Sequence, residues 1–191
     1  MMKQTNMRSL THVSICIAML AVSSYLSFPL PFLQAPITAQ TIMVNVIALW
    51  LPRKQAMTTI GIYLMMGVIG FPVFAGGSSG IAALASPTGG FLIAFFISTC
   101  VISGLKQRLL KTMATYLGLT IGVGMPLIYL IGALWMSHVM KVNLATAFQL
   151  SVTPFILGDL LKCVIASGLV MRLERIFTMK YSLVMKEPYM R

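Results

Sequence analysis

The amino-acid sequence predicts an all-α integral membrane protein: six transmembrane helices in a single domain over residues 1–191, with both termini in the cytoplasm. Three observations predict it. The chain is 58% hydrophobic and only 9% charged, whereas a soluble domain carries about 25% charged residues. Apolar runs recur at about 7–28, 37–51, 56–71, 90–105, 113–134 and 148–171, and in lipid an apolar run must satisfy its own backbone, which favours helices. The basic residues gather at alternate ends of those runs. On one side fall Lys3 and Arg8, Arg53 and Lys54, Lys106, Arg108 and Lys111, and the tail's Arg172, Arg175, Lys180, Lys186 and Arg191; the other side has Lys141 alone. The excess of cations marks the cytoplasmic face. It also explains the net charge of +11 without nucleic acid, because a nucleic-acid surface needs a basic face on a soluble fold.

The first span, 7–28, follows a basic start and is too long for a signal-peptide core, so it is expected to be retained. Ser14 and Ala18 make a small-xxx-small pair on it, which suits close approach of another helix, inside the bundle or from outside. Pro29-Leu30-Pro31 is expected to break the helix. The second span, 37–51, is short and carries Thr38, Gln40, Thr41 and Asn45; Gln40 is a candidate cavity residue, near the same end as Pro36. Pro52-Arg53-Lys54 ends the span and 56–71 forms the third.

The uncharged segment 72–89 is too long for a helix hairpin and rich in glycine and serine. Segments of this kind act as lids or binding loops, and glycine lets backbone approach a ligand. It contains no phosphate-binding GxxxxGK[ST] pattern. The fourth span, 90–105, follows. The fifth, 113–134, has Gly118, Gly122 and Gly124 for close packing, Pro126 for a kink, and Trp135 at its outer end. His12 and His138 lie near span ends and read as interfacial. The segments 29–36, 72–87 and 135–147 are expected outside. Cys16, Cys100 and Cys163 all fall in apolar runs, without CxxC or Cys/His metal spacing. No metal and no cofactor is expected.

The sixth span, 148–171, holds Asp159 and Lys162. Three residues apart on a helix, they share one face. A charge at the bilayer centre costs about 2.5–3.5 kcal/mol on insertion scales, so such groups pair, face inward and serve a function. The pair alone admits three readings: a structural ion pair, the relay of a proton-coupled carrier, or a ligand site. Desolvation weakens the first, and the absence of an internal repeat weakens the second. As a ligand site, the carboxylate would accept N–H donors and the ammonium would donate to a carbonyl; a cyclic urea or an amide offers both. No Ser/His set, HExxH motif or second intramembrane acid supports an enzyme.

The segments Gly76-Gly77-Ser78-Ser79-Gly80, Ser86-Pro87-Thr88-Gly89-Gly90-Phe91-Leu92 and Thr153-Pro154-Phe155-Ile156-Leu157-Gly158-Asp159-Leu160-Leu161-Lys162 resemble, in this order and spacing, the BioY family, the biotin-binding S-components of energy-coupling-factor (ECF) transporters. The resemblance covers nearly the whole chain and implies an S-component-like bundle that captures biotin outside the cell membrane of a bacterium. It implies that Asp159 and Lys162 engage the ureido ring and that Gly76, Gly77, Ser78 and Ser79 belong to the loop that contacts biotin. The family often has asparagine in that loop where this chain has Ser78 and Ser79, so the resemblance does not say what holds the valerate carboxylate. Ser14 and Ala18 occupy the place of the family's Ala-xxx-Ala motif, which docks on a transmembrane coupling protein. The implied partners are that protein and two ATPase subunits, and the implied motion is toppling of the whole S-component in the bilayer.

Overall fold

The structure, a computed structural model, describes residues 2–28 and 36–184, with backbone alone at 2–6, 8 and 177–184. The expected helix break at Pro29-Leu30-Pro31 lies outside the described residues, as do Lys186 and Arg191 and the side chains of Lys3, Arg8 and Lys180. Among the described residues the helices are α1 (Met2–Tyr25), α2 (Gln40–Trp50), α3 (Arg53–Val68), α4 (Ile81–Ala85), α5 (Gly89–Leu105), α6 (Met113–Leu119), α7 (Met125–Met140), α8 (Leu144–Ser151) and α9 (Ile156–Val184). Three helical stretches are long and apolar enough to cross a membrane: Gly89–Arg108, Met113–Met140 and Leu144–Ile176. The outward face of α9 presents Leu157, Leu161, Val164, Ile165 and Leu169, a continuous apolar stripe suited to lipid.

Several boundaries differ from the expectation, each for a physical reason. The first span ends at Tyr25, because Ser27–Phe28 (β1) pairs antiparallel with Ile37–Thr38 (β2); the same pairing delays α2 to Gln40. The all-α fold therefore includes one two-stranded ribbon. The third span starts at Arg53, directly after Pro52, whose fixed φ suits a helix start. It ends before Gly70, whose φ of +109° halts the helix. The fifth span runs on to Met140, where Lys141 takes a left-handed φ of 55°. The expected outer segment 135–147 thus shrinks to 141–143, and Trp135 sits within α7 rather than at its end. Its indole Nε1 donates to the Ser86 carbonyl at 3.0 Å. The irregularity in this span is a π-helical turn at Thr120–Gly124, with Pro126 in the first turn of α7 after it.

The sixth span is not one helix. Val152 leaves helical geometry and Thr153–Phe155 form a 3-10 turn between α8 and α9. Proline at 154 has no N–H to give to a continuous helix.

Glycine sets the packing of α5 on α7. A Cβ on Gly90 would lie 2.2 Å from Trp135 Cβ, and one on Gly132 would lie 2.4 Å from the Phe91 ring. Of the glycines expected to pack closely in the fifth span, Gly124 does, against Ile102, whereas Gly118 and Gly122 meet nothing within 4 Å. One core gathers around Leu20, Ile47, Ile60, Tyr63 and Phe74, and a second around Ile102, Tyr116, Leu119 and Val170. Basic residues gather beside the second. Lys106 Nζ donates to the carbonyls of Leu49 and Leu51, capping the C-terminus of α2. Lys111 pairs with Glu174 at 3.0 Å, and Tyr116 donates to Glu174 at 2.9 Å. The His12 and Trp50 rings meet at a tilt, centroids 5.1 Å apart, while His138 is exposed.

Candidate ligand-binding site

The break before α9 sets the site. It makes Asp159 a first-turn residue of a new helix, where the unpaired N–H groups and the helix dipole favour a carboxylate. Lys162, one turn on, donates to Asp159 Oδ1 at 2.8 Å. Tyr129 of α7 donates to Oδ2 at 2.7 Å. Side-chain exposures of 14% for Lys162 and 13% for Asp159 show a pair withdrawn from the surface but not sealed, and both residues face a cavity.

That cavity measures about 320 Å³, at the small end of the range for small-molecule sites. Its walls come from Pro36, Thr38, Gln40 and Thr41; from Phe74, Ala75 and Ser78 of the glycine-rich loop; from Ser86, Thr88, Phe91, Leu92 and Phe95; and from Tyr129, Ser151 and Phe155. Gln40, the residue singled out from the second span, is among the lining residues. It is 2% exposed and donates to the Tyr63 hydroxyl, which itself donates to the Val73 carbonyl at 2.9 Å. This chain of bonds ties α2 and α3 to the loop.

The loop is held rather than loose. Phe74 packs its ring on Gly67, where a Cβ would come within 2.0 Å of it, and Gly80 N donates to the Gly67 carbonyl at 2.7 Å. Tyr25 Oη donates to the Pro72 carbonyl at 2.6 Å. Gly76 and Gly77 both have positive φ, +65° and +78°, so they serve the turn that presents Ala75 and Ser78. Of the four expected loop residues, Ser78 borders the cavity, while Gly76, Gly77 and Ser79 are not among its lining residues. Ser14 and Ala18 are far from it, on the exposed stripe of α1 with Leu10, Ile15, Met19 and Val22; the opposite face buries Val13, Cys16 and Leu20.

Sequence reasoning passed over Tyr129 and the aromatic walls. A tyrosine deep in an apolar span was itself a signal, since its hydroxyl needs a partner when buried. The arrangement offers one carboxylate, one ammonium and one phenol in the wall of a chamber lined also by Phe74, Phe91, Phe95 and Phe155. The pair is neutral overall, so it suits a neutral polar head that both donates and accepts. Among the described residues no group of three His, Cys, Asp or Glu could hold a metal ion.

Fold and chamber together define a helical membrane protein with a small-ligand cavity at one end. The sequence model of the BioY family matches residues 1–179. The chain is 38% identical over 167 residues to the biotin transporter BioY2 of Lactococcus lactis subsp. cremoris, covering 87% of this chain and 90% of that one. It is 36% identical to a probable biotin transporter BioY of Pyrococcus horikoshii, over 85% of this chain and 93% of that one. A crystal structure of the S-component for biotin from an ECF-type ABC transporter superposes with a TM-score of 0.85 at 26% identity, covering 92% and 95% of the two chains. The chain belongs to the BioY family.

Proposed function

We propose that this protein is the biotin-capturing S-component of an ECF-type uptake system, and not an enzyme. It spans the cell membrane six times as a single domain, with both termini in the cytoplasm and the cavity opening outward. Biotin enters beneath the glycine-rich loop. A ureido N–H bonds to Asp159 and the ureido carbonyl accepts from Lys162; Gln40 and the Gly76–Ser79 turn hold the rest of the chamber around it. A transmembrane coupling protein docks on the Ser14–Ala18 stripe of α1, and two ATPase subunits drive the toppling that turns the loaded cavity inward. Biotin is the cargo; no cofactor takes part.

The observation that carries this reading is the Asp159–Lys162–Tyr129 cluster facing a vitamin-sized cavity. A purely structural ion pair has no need of a chamber beside it. Isothermal calorimetry on the detergent-purified chain tests the reading: one saturable biotin site of nanomolar-range affinity is expected, and the lack of heat or saturation overturns it.

A further inference from the structure

One turn deeper than the main cavity, between α2, α7 and α9, lies a second chamber of about 10 Å³, the space of about one water. Thr41, Asn45, Tyr129, Asp159 and Cys163 border it; Thr41, Tyr129 and Asp159 border the main cavity as well, whereas Asn45 does not. Asn45 is only 4% exposed. Its Oδ1 and the Thr41 Oγ1 are buried without a protein partner, and the Asn45 amide nitrogen has only the Cys163 sulfur at 3.8 Å. An unpaired buried oxygen bears its full desolvation penalty, so two of them, on residues that border one small and mostly apolar chamber, call for an occupant.

We propose that this chamber is a water site, and that Asn45 is a positioning residue which, through that water, holds the Asp159 carboxylate in line for the ligand. The hydrogen-bond inventory closes. The water accepts from Thr41 Oγ1–H and donates to Asn45 Oδ1 and to Asp159, the usual three bonds of a buried water. Asp159 is then held by Lys162 on Oδ1, by Tyr129 on Oδ2 and by the water from below. The lone pair left over faces the main cavity, where an N–H donor arrives. A monovalent cation fits less well: the carboxylate already has the Lys162 ammonium, and Met125, Ile128 and Cys163 supply no oxygen.

This inference rests on the biotin reading only for its effect on affinity; the site itself is tested independently. A high-resolution crystallographic map of the intact, ligand-free chain should show one water within about 3.2 Å of both Asn45 Oδ1 and Asp159. An empty chamber there, or a coordinated sodium ion with sodium-dependent binding, overturns the proposal. In calorimetry with biotin, Asn45→Leu should weaken affinity about tenfold, but should add nothing further when Asp159 is already Asn. Purely structural damage would instead add in both backgrounds, and that result also overturns the proposal. Should Asn45→Leu fail to fold, Asn45→Ser enters the same cycle with a smaller effect of the same form. If the native chain binds no biotin at all, the functional reading falls while the map still decides the water.

Discussion

Asp159 has three constraints that converge on one carboxylate: the start of α9, the Lys162 ammonium and the Tyr129 hydroxyl. Together they leave a lone pair free for a ligand N–H. Replacing it with Asn keeps the shape but removes the charge that pairs with Lys162 and turns one acceptor oxygen into a donor. Losing one partner of a buried, hydrogen-bonded charge costs about 2–5 kcal/mol, so Asp159→Asn should raise the biotin Kd about 30-fold or more. The measurement is calorimetry alongside a melting curve. Unchanged affinity removes Asp159 from the site; a lost fold with no binding data from the surviving protein is resolved by repeating the titration on Asp159→Glu.

At the scale of elements, glycine and proline decide the geometry. The α5–α7 contact depends on Gly90 beneath Trp135 and Gly132 beneath the Phe91 ring. Phe91 also walls the cavity, so the same contact shapes the site. Gly132→Val must push that ring aside; overpacking of this kind costs about 1–3 kcal/mol. A lowered melting temperature together with weaker biotin binding is expected, and an unchanged melting temperature would refute the close approach. The α1 stripe behaves oppositely. Ser14 and Ala18 are exposed among large apolar neighbours, and small side chains let another helix approach closely. Ala18→Leu should block that approach, reducing co-purification of the proposed coupling protein and biotin uptake while leaving biotin affinity as it was. Full co-purification would remove α1 from the docking surface.

Over the whole molecule, polarity is divided between two ends. The cavity, the glycine-rich loop and the α8–α9 break share one end; Arg53, Lys106 and Lys111 with Glu174 share the other. The proposed orientation puts the cavity end outside. In a Cys100→Ser background, where the remaining Cys16 and Cys163 are buried, Lys141→Cys should react with an impermeant maleimide on intact cells. Arg108→Cys should react only after permeabilisation. The reverse pattern would invert the topology.

Much of this was open to reading from residues alone, because it depends on chemistry that stays local. Hydropathy assigns the chain to lipid, cation placement separates its two ends, and a three-residue spacing puts Asp159 and Lys162 within reach of each other on any helix. The resemblance of the loop and PFxxGDxxK segments to one family was likewise legible. Residues far apart in the chain were another matter. Tyr129 reaches Asp159, and Asn45 reaches the small chamber, only because of how α2, α7 and α9 are rotated about their axes. An apolar span carries no periodic mark of its rotation when lipid and core are equally apolar. The break at Pro154, the ribbon between β1 and β2 and the extension of α7 to Met140 were settled the same way, by which backbone groups find partners once the helices are packed.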